Sequence, residues 1–369
     1  MQARTAHKET ETIDTLLANA SARDWQTAAP ETVGTVRLAV VGTGWFTRNV
    51  SIPGIVASDC CEVTVVVTEA PAEAVAVAAD VGEDTRGLTT DEFLAGEAVD
   101  AYDAVYIATP NAFHLTYTEA AATHGKDVLC EKPMERDSGR AERMVAVCAD
   151  AGVELGVAYR MQTEPAVRRA RELIAAGLIG DPVDVQGSMS QRLLQEINPD
   201  PDQWRLDAEL AGGGALFDLG VYPLNTARFL LDADPVAVTG RTRGDGAFAE
   251  VDESVLFTVE FPGEVFATCF ASQNAHQSSS LSVVGTEGRL AIEPAFFPEH
   301  PRVLHLSCDE RDVSVEIDPV DQFREEFDHF AHQLRTDDQL TADGAHGLVD
   351  MYTMEAVYDS AERGGWVEL

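Results

Sequence analysis

Lysine and positive charge are scarce in this chain. Only three of its 26 basic residues are lysine, and 63 acidic residues give a formal net charge of −37 over 369 residues. So acidic a surface repels polyanions, which excludes nucleic acid and anionic membranes as expected partners. The acids are scattered over a chain with 45% hydrophobic residues. They predict a hydrated surface suited to a high-salt cytoplasm, where charges are screened within ~3 Å at ~1 M salt.

Long hydrophobic runs and paired cysteines are also missing. No stretch reaches the ~18 apolar residues of a membrane helix, and the N-terminus has no signal-peptide core, so we expect a cytoplasmic protein. None of the six cysteines forms a Cys-x-x-Cys, which argues against a disulfide framework and a zinc site. No spacing of His, Asp and Glu indicates a ligand set, so we expect no metal.

The chain is too long for one compact core, and its pattern changes along its length. Residues 1–35 are polar around one amphipathic patch, which predicts an N-terminal arm that folds on a neighbouring domain or subunit. Residues 36–157 alternate short buried strands with helices, which predicts a doubly wound α/β Rossmann domain. Residues 158–369 predict an α+β domain with a large, mostly antiparallel sheet, whose C-terminal helices return to the Rossmann domain. The patch consists of Ile13, Leu16, Leu17 and Trp25.

A glycine-rich turn follows the first predicted strand. Val36–Val41 is β-branched and apolar, and the turn Gly42–Thr47 leads from it into a helical segment. In this context Gly42 permits the tight turn, and Gly44 lets backbone N–H groups approach the pyrophosphate of a dinucleotide. Thr47 takes the place of the third glycine, so we expect looser packing of helix on strand there.

The second strand leaves the choice between NAD and NADP open. An acid at its tip would bind the ribose hydroxyls of NAD, whereas a neutral tip with a nearby base would admit the 2′-phosphate of NADP. Thr68 occupies the tip and Glu69 the next position. Both cofactors therefore remain compatible with the sequence.

Two later strands end in polar residues. Ala104–Ala108 is followed by Thr109-Pro110-Asn111, with His114 opening the next helix, and Asp127–Cys130 is followed by Glu131-Lys132-Pro133. The carboxyl ends of parallel strands form the ligand-binding edge of such sheets. Lysine is rare in this chain, and Lys132 lies at this edge. Its presence there indicates that the site uses a lysine's chemistry, because a buried lysine can shift its pKa. The alternative is a surface lysine that closes a loop.

In the second domain, a glycine-rich segment carries a carboxylate and a phenol. Gly212–Gly214 bring the backbone close to a neighbour, and Asp218 and Tyr222 are four residues apart. On a helical turn this spacing directs both side chains to one side. The pair suits the binding and oxidation of a polyol, and the alternative is a capped helix start with a buried tyrosine.

These motifs occur in one order along the chain. Together they resemble the glucose-fructose oxidoreductase/inositol dehydrogenase (Gfo/Idh/MocA) superfamily from Val36 to the C-terminus. Tyr222 stands where many inositol-dehydrogenase-like members carry His, which favours the branch with glucose-fructose oxidoreductase, dihydrodiol dehydrogenase and sugar 1-dehydrogenases. The motifs are Val36–Thr47, Ile107–Asn111 with His114, Glu131–Pro133, Tyr159-Arg160 and Gly212–Asn225.

The resemblance implies oxidation of C1 of an aldopyranose, with D-xylose favoured, to an aldonolactone with hydride transfer to NADP. Tyr222 would accept the O1 proton, and Lys132 would stabilise its phenolate, since a phenol with a reference pKa of ~10 is a poor base at neutral pH. Asp218 would orient this pair or bind a hydroxyl, and Tyr159 and Arg160 would contact the sugar. The implied cofactor contacts are Gly42, Thr43, Gly44, Trp45, Phe46, Thr68, Thr109, Pro110, Asn111, His114, Glu131 and Lys132.

Other functions stay open at this point. One alternative is glucose-fructose oxidoreductase-like chemistry with a retained cofactor, or dihydrodiol oxidation; another is a non-catalytic NAD(P)-sensing regulator. A regulator need not keep the acid–base residues, whereas Lys132, Asp218 and Tyr222 are all present. By resemblance, an open face of the second sheet pairs subunits, so we expect a homodimer or a homotetramer.

Overall fold

The computed structural model describes residues 15, 17, 20–308, 311–336 and 338–369. Ile13 and Leu16 of the predicted patch lie outside these residues. The segment 20–33, called the arm below, ends in the short helix α1 (Pro30–Val33). Within the arm Trp25 is buried against the C-terminal part of the same chain.

The first sheet has six parallel strands in the order β3-β2-β1-β4-β5-β6. Its strands are β1 (Val36–Val41), β2 (Cys61–Thr68), β3 (Arg86–Thr89), β4 (Ala104–Ile107), β5 (Asp127–Cys130) and β6 (Leu155–Val157). Along β1, Leu38 and Val40 face one core while Ala39 and Val41 face the other, as expected for a strand buried on both sides. The strand order reverses between β1 and β4, and this switch point is where doubly wound sheets bind ligands.

Helices cover both faces of this sheet. They are α2 (Ile52–Ala57), α3 (Pro71–Val81), α4 (Thr90–Leu94), α5 (His114–Thr123) and α6 (Ser138–Ala151). A π-helical turn, Thr47–Ser51, precedes α2 where the sequence predicts one continuous helix. Thr47 is only 1% exposed, so its side chain fills the space that a third glycine would leave. The sequence pattern misses β3 and α4, because this strand is a short edge strand with a glycine inside it.

The second sheet has nine strands in the order β14-β13-β12-β11-β7-β10-β9-β8-β15, and only the pair β7–β10 is parallel. The strands are β7 (Pro182–Arg192), β8 (Ala237–Arg243), β9 (Ser254–Phe261), β10 (Val265–Ser272), β11 (Asn274–Gly285), β12 (Gly288–Glu293), β13 (Arg302–Cys308), β14 (Arg311–Ile317) and β15 (Val367–Glu368). The last three are absent from the sequence prediction. One reason is that β13 opens with Arg302, whose complete burial no polarity pattern indicates.

Five further helices accompany the second sheet. They are α7 (Pro165–Ala175), α8 (Ala208–Ala211), α9 (Val221–Leu231), α10 (Gln322–Arg335) and α11 (Gly344–Arg363). Helices α9 and α11 pack on the second sheet, while α10 packs Phe327 and Phe330 on the first sheet. The aromatic side chains Phe327 and Phe330 of α10 are therefore core, and this helix connects the arm, the Rossmann sheet and the crevice.

The other face of the second sheet carries exposed apolar side chains. Leu256, Phe266, Phe270 and Trp366 are between 39% and 52% exposed. Within the described ranges, no helix is long and apolar enough to cross a membrane. The same residues contain no group of three or more His, Cys, Asp or Glu that could hold a metal ion.

Candidate active site

The turn after β1 has the geometry of a pyrophosphate cradle. Gly42 adopts φ +98°, and a Cβ there would lie 2.5 Å from the carbonyl oxygen of Ala108, so only glycine fits. A Cβ on Gly44 would meet nothing within 4 Å, which leaves its backbone open to the crevice. The next residue, Trp45, is 74% exposed, and Phe46 packs edge-on against Phe323. The turn thus combines one sterically required glycine with an accessible backbone.

Arg48, a cation that no sequence motif singles out, lies near the tip of β2. The Thr43 hydroxyl lies 3.0 Å from that of Thr68 and 2.9 Å from Glu73 Oε1. Arg48 donates from Nε to the Thr43 carbonyl at 2.8 Å and pairs with Glu73. A base next to a neutral strand tip is the arrangement that accommodates a 2′-phosphate. Arg48 lies four residues after Gly44, on the first helical turn, and this spacing is the sequence signal that could have identified it.

The residues after β4 connect the two halves of the chain. Asn111 is buried and donates from its side-chain amide to the Ala211 carbonyl at 2.8 Å. Pro110 precedes it, and the buried hydroxyl of Thr109 has no hydrogen-bond partner among the described residues, which fits a site that still awaits a polar ligand. These residues lie at the crevice edge as predicted, although the Asn111 amide already has a protein partner.

His114 occupies a different position from the one expected of a cofactor contact. Its side chain is fully buried, and its ring nitrogens lie 3.0 Å from the Thr109 carbonyl and 3.1 Å from the Met134 carbonyl. Burial lowers its pKa despite these carbonyls. His114 therefore supports the turns after β4 and β5 from below, and a direct contact with a cofactor would require it to leave this position.

Lys132 projects from the end of β5 toward the second domain, and the peptide bond between Lys132 and Pro133 is cis. Its Nζ donates to the Asp218 carbonyl at 3.1 Å and lies 3.3 Å from Asp218 Oδ1. The same atom lies 4.9 Å from the centre of the Tyr222 ring. Burial alone would lower the pKa of Lys132, but Tyr222, Asp218 and Glu131 outweigh burial and raise it. Lys132 is therefore a fixed positive charge here and not a surface loop residue.

Asp218 lies on a π-helical turn, Leu216–Gly220, directly before α9. Its Oδ2 accepts a hydrogen bond from Gln273 Nε2 at 2.7 Å and lies 3.6 Å from Arg205 Nε. Burial would raise the pKa of Asp218, but Lys132 and Arg205 hold it below its usual value. Asp218 is thus an ionised, oriented acceptor. Gln273 and Arg205 belong to this site, and no motif in the sequence points to them.

Tyr222, four residues after Asp218, accepts a hydrogen bond on its hydroxyl from Arg160 Nε at 3.2 Å. Arg160 is 7% exposed, and its other nitrogens donate to Gln322 and to the Phe296 carbonyl. Tyr159 is also buried, and its hydroxyl interacts with Asp350. Both residues predicted to contact the sugar thus direct their polar atoms into the protein.

Beneath Lys132 lies a buried acidic pocket. Tyr106 donates from its hydroxyl to Glu131 Oε1 at 2.7 Å, and the Ser51 hydroxyl lies 2.9 Å from the same phenol. Burial raises the pKa of Glu131, although Lys132 lowers it in part. Burial also raises the pKa of Glu326 on α10, whose Oε1 lacks a hydrogen-bond partner in the described part of the chain. The Lys132 ammonium is therefore backed by one acid from each domain, Glu131 after β5 and Glu326 on α10.

The arrangement joins an ammonium from one domain to a carboxylate and a phenol from the other. All three are partly shielded from water, and Lys132 follows β5 at the same edge of the first sheet as the glycine turn after β1. A larger cavity, of about 580 Å³, lies between α11 and the C-terminus, away from these groups. Acid–base chemistry beside a dinucleotide is what the crevice, and not that cavity, can perform.

Known proteins match both halves of the chain. A model of the oxidoreductase family with an NAD-binding Rossmann fold matches residues 36–159, and a model of the GFO/IDH/MocA C-terminal domain matches residues 167–291. The D-xylose 1-dehydrogenase (NADP(+)) of Haloarcula marismortui is 51% identical over 359 residues, covering 97% of this chain and 99% of that protein. The D-xylose 1-dehydrogenase (NADP(+)) 2 of Haloferax volcanii is 35% identical over 89% of this chain and 98% of that protein.

A solved structure has the same architecture. The crystal structure of aldose-aldose oxidoreductase from Caulobacter crescentus, complexed with glycerol, superposes with a TM-score of 0.84 at 29% identity. The match covers 91% of this chain and 100% of that chain. Together with the two family models, these similarities confirm the predicted fold class and the resemblance noted from the motifs. The chain belongs to the Gfo/Idh/MocA family of oxidoreductases.

Proposed function

We propose that this protein is an NADP-dependent D-xylose 1-dehydrogenase. The observation that carries the proposal is the meeting of Lys132, Asp218 and Tyr222 at the sheet edge that also carries the glycine turn. Similarity to two D-xylose 1-dehydrogenases supports the choice of sugar and of cofactor. A regulator that only senses a dinucleotide has no need of this oriented and ionised group of side chains.

The chain's own residues supply binding and proton transfer. Bound NADP⁺ supplies the hydride acceptor. Tyr222 takes the proton from O1 of the sugar, and Lys132 stabilises the anion left on the phenol, because a protonated amine close to the ring favours it. Asp218, ionised and held by Gln273, accepts a sugar hydroxyl and keeps Lys132 in position. Positioned proton transfer of this kind contributes ~10²–10⁴ to the rate.

The cofactor is held by the backbone of the glycine turn and by the strand ends. Gly42, Thr43 and Gly44 would hold the pyrophosphate, with Trp45 and Phe46 next to them in the turn, and Thr109, Pro110, Asn111 and Glu131 would hold the nicotinamide end. Arg48, which now pairs with Glu73, would supply the positive charge for the 2′-phosphate. This assignment favours NADP and leaves NAD as the weaker cofactor.

We further propose the division into residues 1–35, 36–157 and 158–369, and a cytoplasmic, salt-adapted protein. Subunits pair through the open face of the second sheet, because Leu256, Phe266, Phe270 and Trp366 expose apolar surface there. The expected assembly is a homodimer or a homotetramer, and light scattering of the purified protein at molar salt distinguishes them from a monomer.

A panel of pentoses and hexoses with NADP⁺ or NAD⁺ at molar salt tests the function. We expect reduction of NADP⁺ with D-xylose to have the highest kcat/KM, measured by absorbance of the reduced cofactor. No turnover with any sugar would leave the regulator as the better explanation.

One observation favours a second candidate, an aldose–aldose oxidoreductase. The crystal structure of the Caulobacter crescentus aldose-aldose oxidoreductase matches 91% of the length of this chain. An enzyme of that kind would interconvert two sugars without added cofactor, because its cofactor is retained and recycled. Turnover of a sugar pair by dialysed protein without added NADP⁺ would favour it over the dehydrogenase.

A further inference from the structure

Arg160 is bound entirely by protein groups. Its Nε donates to the Tyr222 hydroxyl at 3.2 Å, its Nη2 donates to the Phe296 carbonyl at 2.8 Å, and its Nη1 donates to Gln322 Oε1. The guanidinium carbon lies 4.7 Å from the centre of the Tyr222 ring. Arg160 is only 7% exposed, and its contact with Tyr222 brings its charge directly to a side chain of the crevice.

A chain of buried polar residues holds Arg160 in this position. Gln322, the first residue of α10, accepts from Arg160 and donates from its own amide to Glu164 Oε2. Glu164 pairs with Arg302 Nη1 at 3.4 Å, and both side chains are 1% exposed. Arg302 is fixed in turn by the carbonyls of Ala295 and Phe297, at 3.0 and 2.9 Å. Such a connected network orients its members, since none can move without leaving a buried polar group unpaired.

Lys132 does not duplicate this contact. Among the described residues, the hydrogen bond to the Tyr222 hydroxyl comes from Arg160, while the Lys132 ammonium donates to Asp218. Unlike an ammonium, a guanidinium cannot give up its proton in a protein, so Arg160 can stabilise an anion on Tyr222 without competing as an acid. The two cations therefore act on different parts of the same phenol.

We propose that Arg160 is a catalytic residue that stabilises the deprotonated hydroxyl of Tyr222, and that Gln322, Glu164 and Arg302 position it. This inference rests on the proposed dehydrogenase function. In the step concerned, the O1–H bond of the sugar breaks and the Tyr222 O–H bond forms, while the hydride of C1 passes to NADP⁺. Arg160 keeps its proton throughout, and the proton on Tyr222 leaves to solvent before the next turnover.

Several ionisable groups share this environment. They contribute to any pH dependence equally in the parent and in the variants described next, provided that they stay in place. These groups are Lys132 and Glu131 after β5, Asp218 and Arg205 in the second domain, and Glu326 on α10.

The test is the pH profile of kcat with D-xylose and NADP⁺. In Arg160→Met we expect the midpoint of the rise to move to higher pH by at least about one unit, because an opposite charge at this distance shifts ionisation by ~1–3 units. At a fixed pH below the midpoint, kcat falls about ten-fold for each unit. Arg160→Lys keeps a cation next to Tyr222, so its midpoint should lie between those of Arg160→Met and the parent. Gln322→Leu should give a smaller shift in the same direction as Arg160→Met, because it removes one hydrogen bond that holds the guanidinium in place.

Arg169→Met is the matched control, since Arg169 is equally buried but pairs with Asp24 and Glu172 outside the site. It keeps the parent midpoint. A residue with a merely structural role would lower kcat at all pH values without moving the midpoint, and that result in Arg160→Met overturns the proposal. Should Arg160→Met not fold, a parent midpoint in Gln322→Leu overturns it equally.

A second readout does not depend on turnover. Titration of tyrosinate absorbance, with Tyr222→Phe subtracted, follows Tyr222 directly in the full-length protein. Tyr222 should ionise at higher pH in Arg160→Met than in the parent, and coincident titrations contradict the proposal. If the parent oxidises no sugar, the proposed function fails, and this titration still decides whether Arg160 acts on Tyr222.

Discussion

At the scale of single residues, the site divides its work between groups of opposite charge. Lys132 remains charged because its neighbours raise its pKa by more than burial lowers it. Asp218 remains ionised because Lys132 and Arg205 lower its pKa by more than burial raises it. Each partner makes burial of the other tolerable, since removing one leaves an uncompensated charge. The pair is therefore a preorganised frame around the phenol of Tyr222.

Removing the proton acceptor Tyr222, or the Lys132 ammonium that stabilises its anion, should affect the chemical step. We expect Lys132→Met and Tyr222→Phe each to lower kcat by at least ~10², because positioned acid–base catalysis contributes about that much. NADP⁺ affinity, measured by fluorescence titration, should stay close to that of the parent. Lys126→Met and Tyr352→Phe are matched controls, since Lys126 contacts the Tyr102 carbonyl and Tyr352 contacts Glu142. Parent rates in the site variants would show that the roles are misassigned.

Cofactor preference should depend on Arg48. Charge-assisted hydrogen bonds contribute ~1.5–3 kcal/mol, so we expect Arg48→Gln to raise KM for NADP⁺ by ten-fold or more. KM for NAD⁺ should change little, because NAD⁺ has no 2′-phosphate. Arg37→Gln, at the opposite end of β1 where Arg37 pairs with Asp103, is the control. An equal rise in KM for both cofactors would contradict a role in reading the phosphate.

At the scale of elements, α10 joins parts of the chain that are distant in sequence. Its apolar stripe covers the Rossmann sheet, and its first residue, Gln322, contacts Arg160. On its outer side Arg23 of the arm pairs with Glu325 and Asp328 at 2.6 and 2.8 Å. The ring of Trp25 lies 5.0 Å from that of His329. The arm thus clamps the helix that positions the candidate site.

Acid stability should report on His329 of this helix. Burial lowers the pKa of His329 from 6.5 to about 3. Between these values the unfolded state binds a proton that the folded state does not, so stability is complete above about pH 6.5 and declines as the pH falls toward about 3. We expect His329→Phe, which keeps an aromatic ring against Trp25, to remove this part of the pH dependence.

The measurement for His329 is the free energy of unfolding in denaturant between pH 7 and pH 4. An ordinary His, as in the unfolded state, takes up its proton within about this range. The stability difference between parent and His329→Phe should change in favour of the variant as the pH falls. His305→Gln, at an exposed histidine on β13, should show no such change. A constant difference across the range would show that His329 protonates freely in the folded protein.

At the scale of the whole molecule, the net charge of −37 opposes folding by self-repulsion. Exposed ion pairs such as Arg143–Glu119 and Arg363–Asp359 offset this self-repulsion only weakly. Each pair contributes ~0–1 kcal/mol to stability and is itself screened by salt. We therefore expect repulsion among the many acids to outweigh the pairs, so that salt stabilises the fold.

Thermal unfolding should depend strongly on ionic strength. We expect Tm to rise as KCl increases from ~0.1 to ~1 M, over which the screening length falls from ~10 to ~3 Å. Sucrose is the control, because it is excluded from the protein surface but does not screen charge. If sucrose and KCl raise Tm to the same extent, or if KCl has no effect, the surface charge is not what limits stability.

Local signals along the chain were sufficient for five of the six strands of the first sheet and for the crevice edge. The glycine turn at Gly42, the strand end before Thr109 and the strand end before Lys132 each depend on backbone conformation and burial within a few residues. Parallel strands bring such ends to one edge whatever the details of packing. The spacing of Asp218 and Tyr222 was readable for the same reason, because one helical turn fixes their common side.

Only the tertiary structure decided which polar groups meet. Arg160 contacts Tyr222, Gln322 and Phe296 across separations of 62, 162 and 136 residues, and Gln273 reaches Asp218 across 55. His114 is buried as a support, and the fully buried Arg302 opens a strand that the pattern missed. A buried charge is stable only with its partners in place, and those partners are distant in sequence, so local polarity alone cannot reveal it.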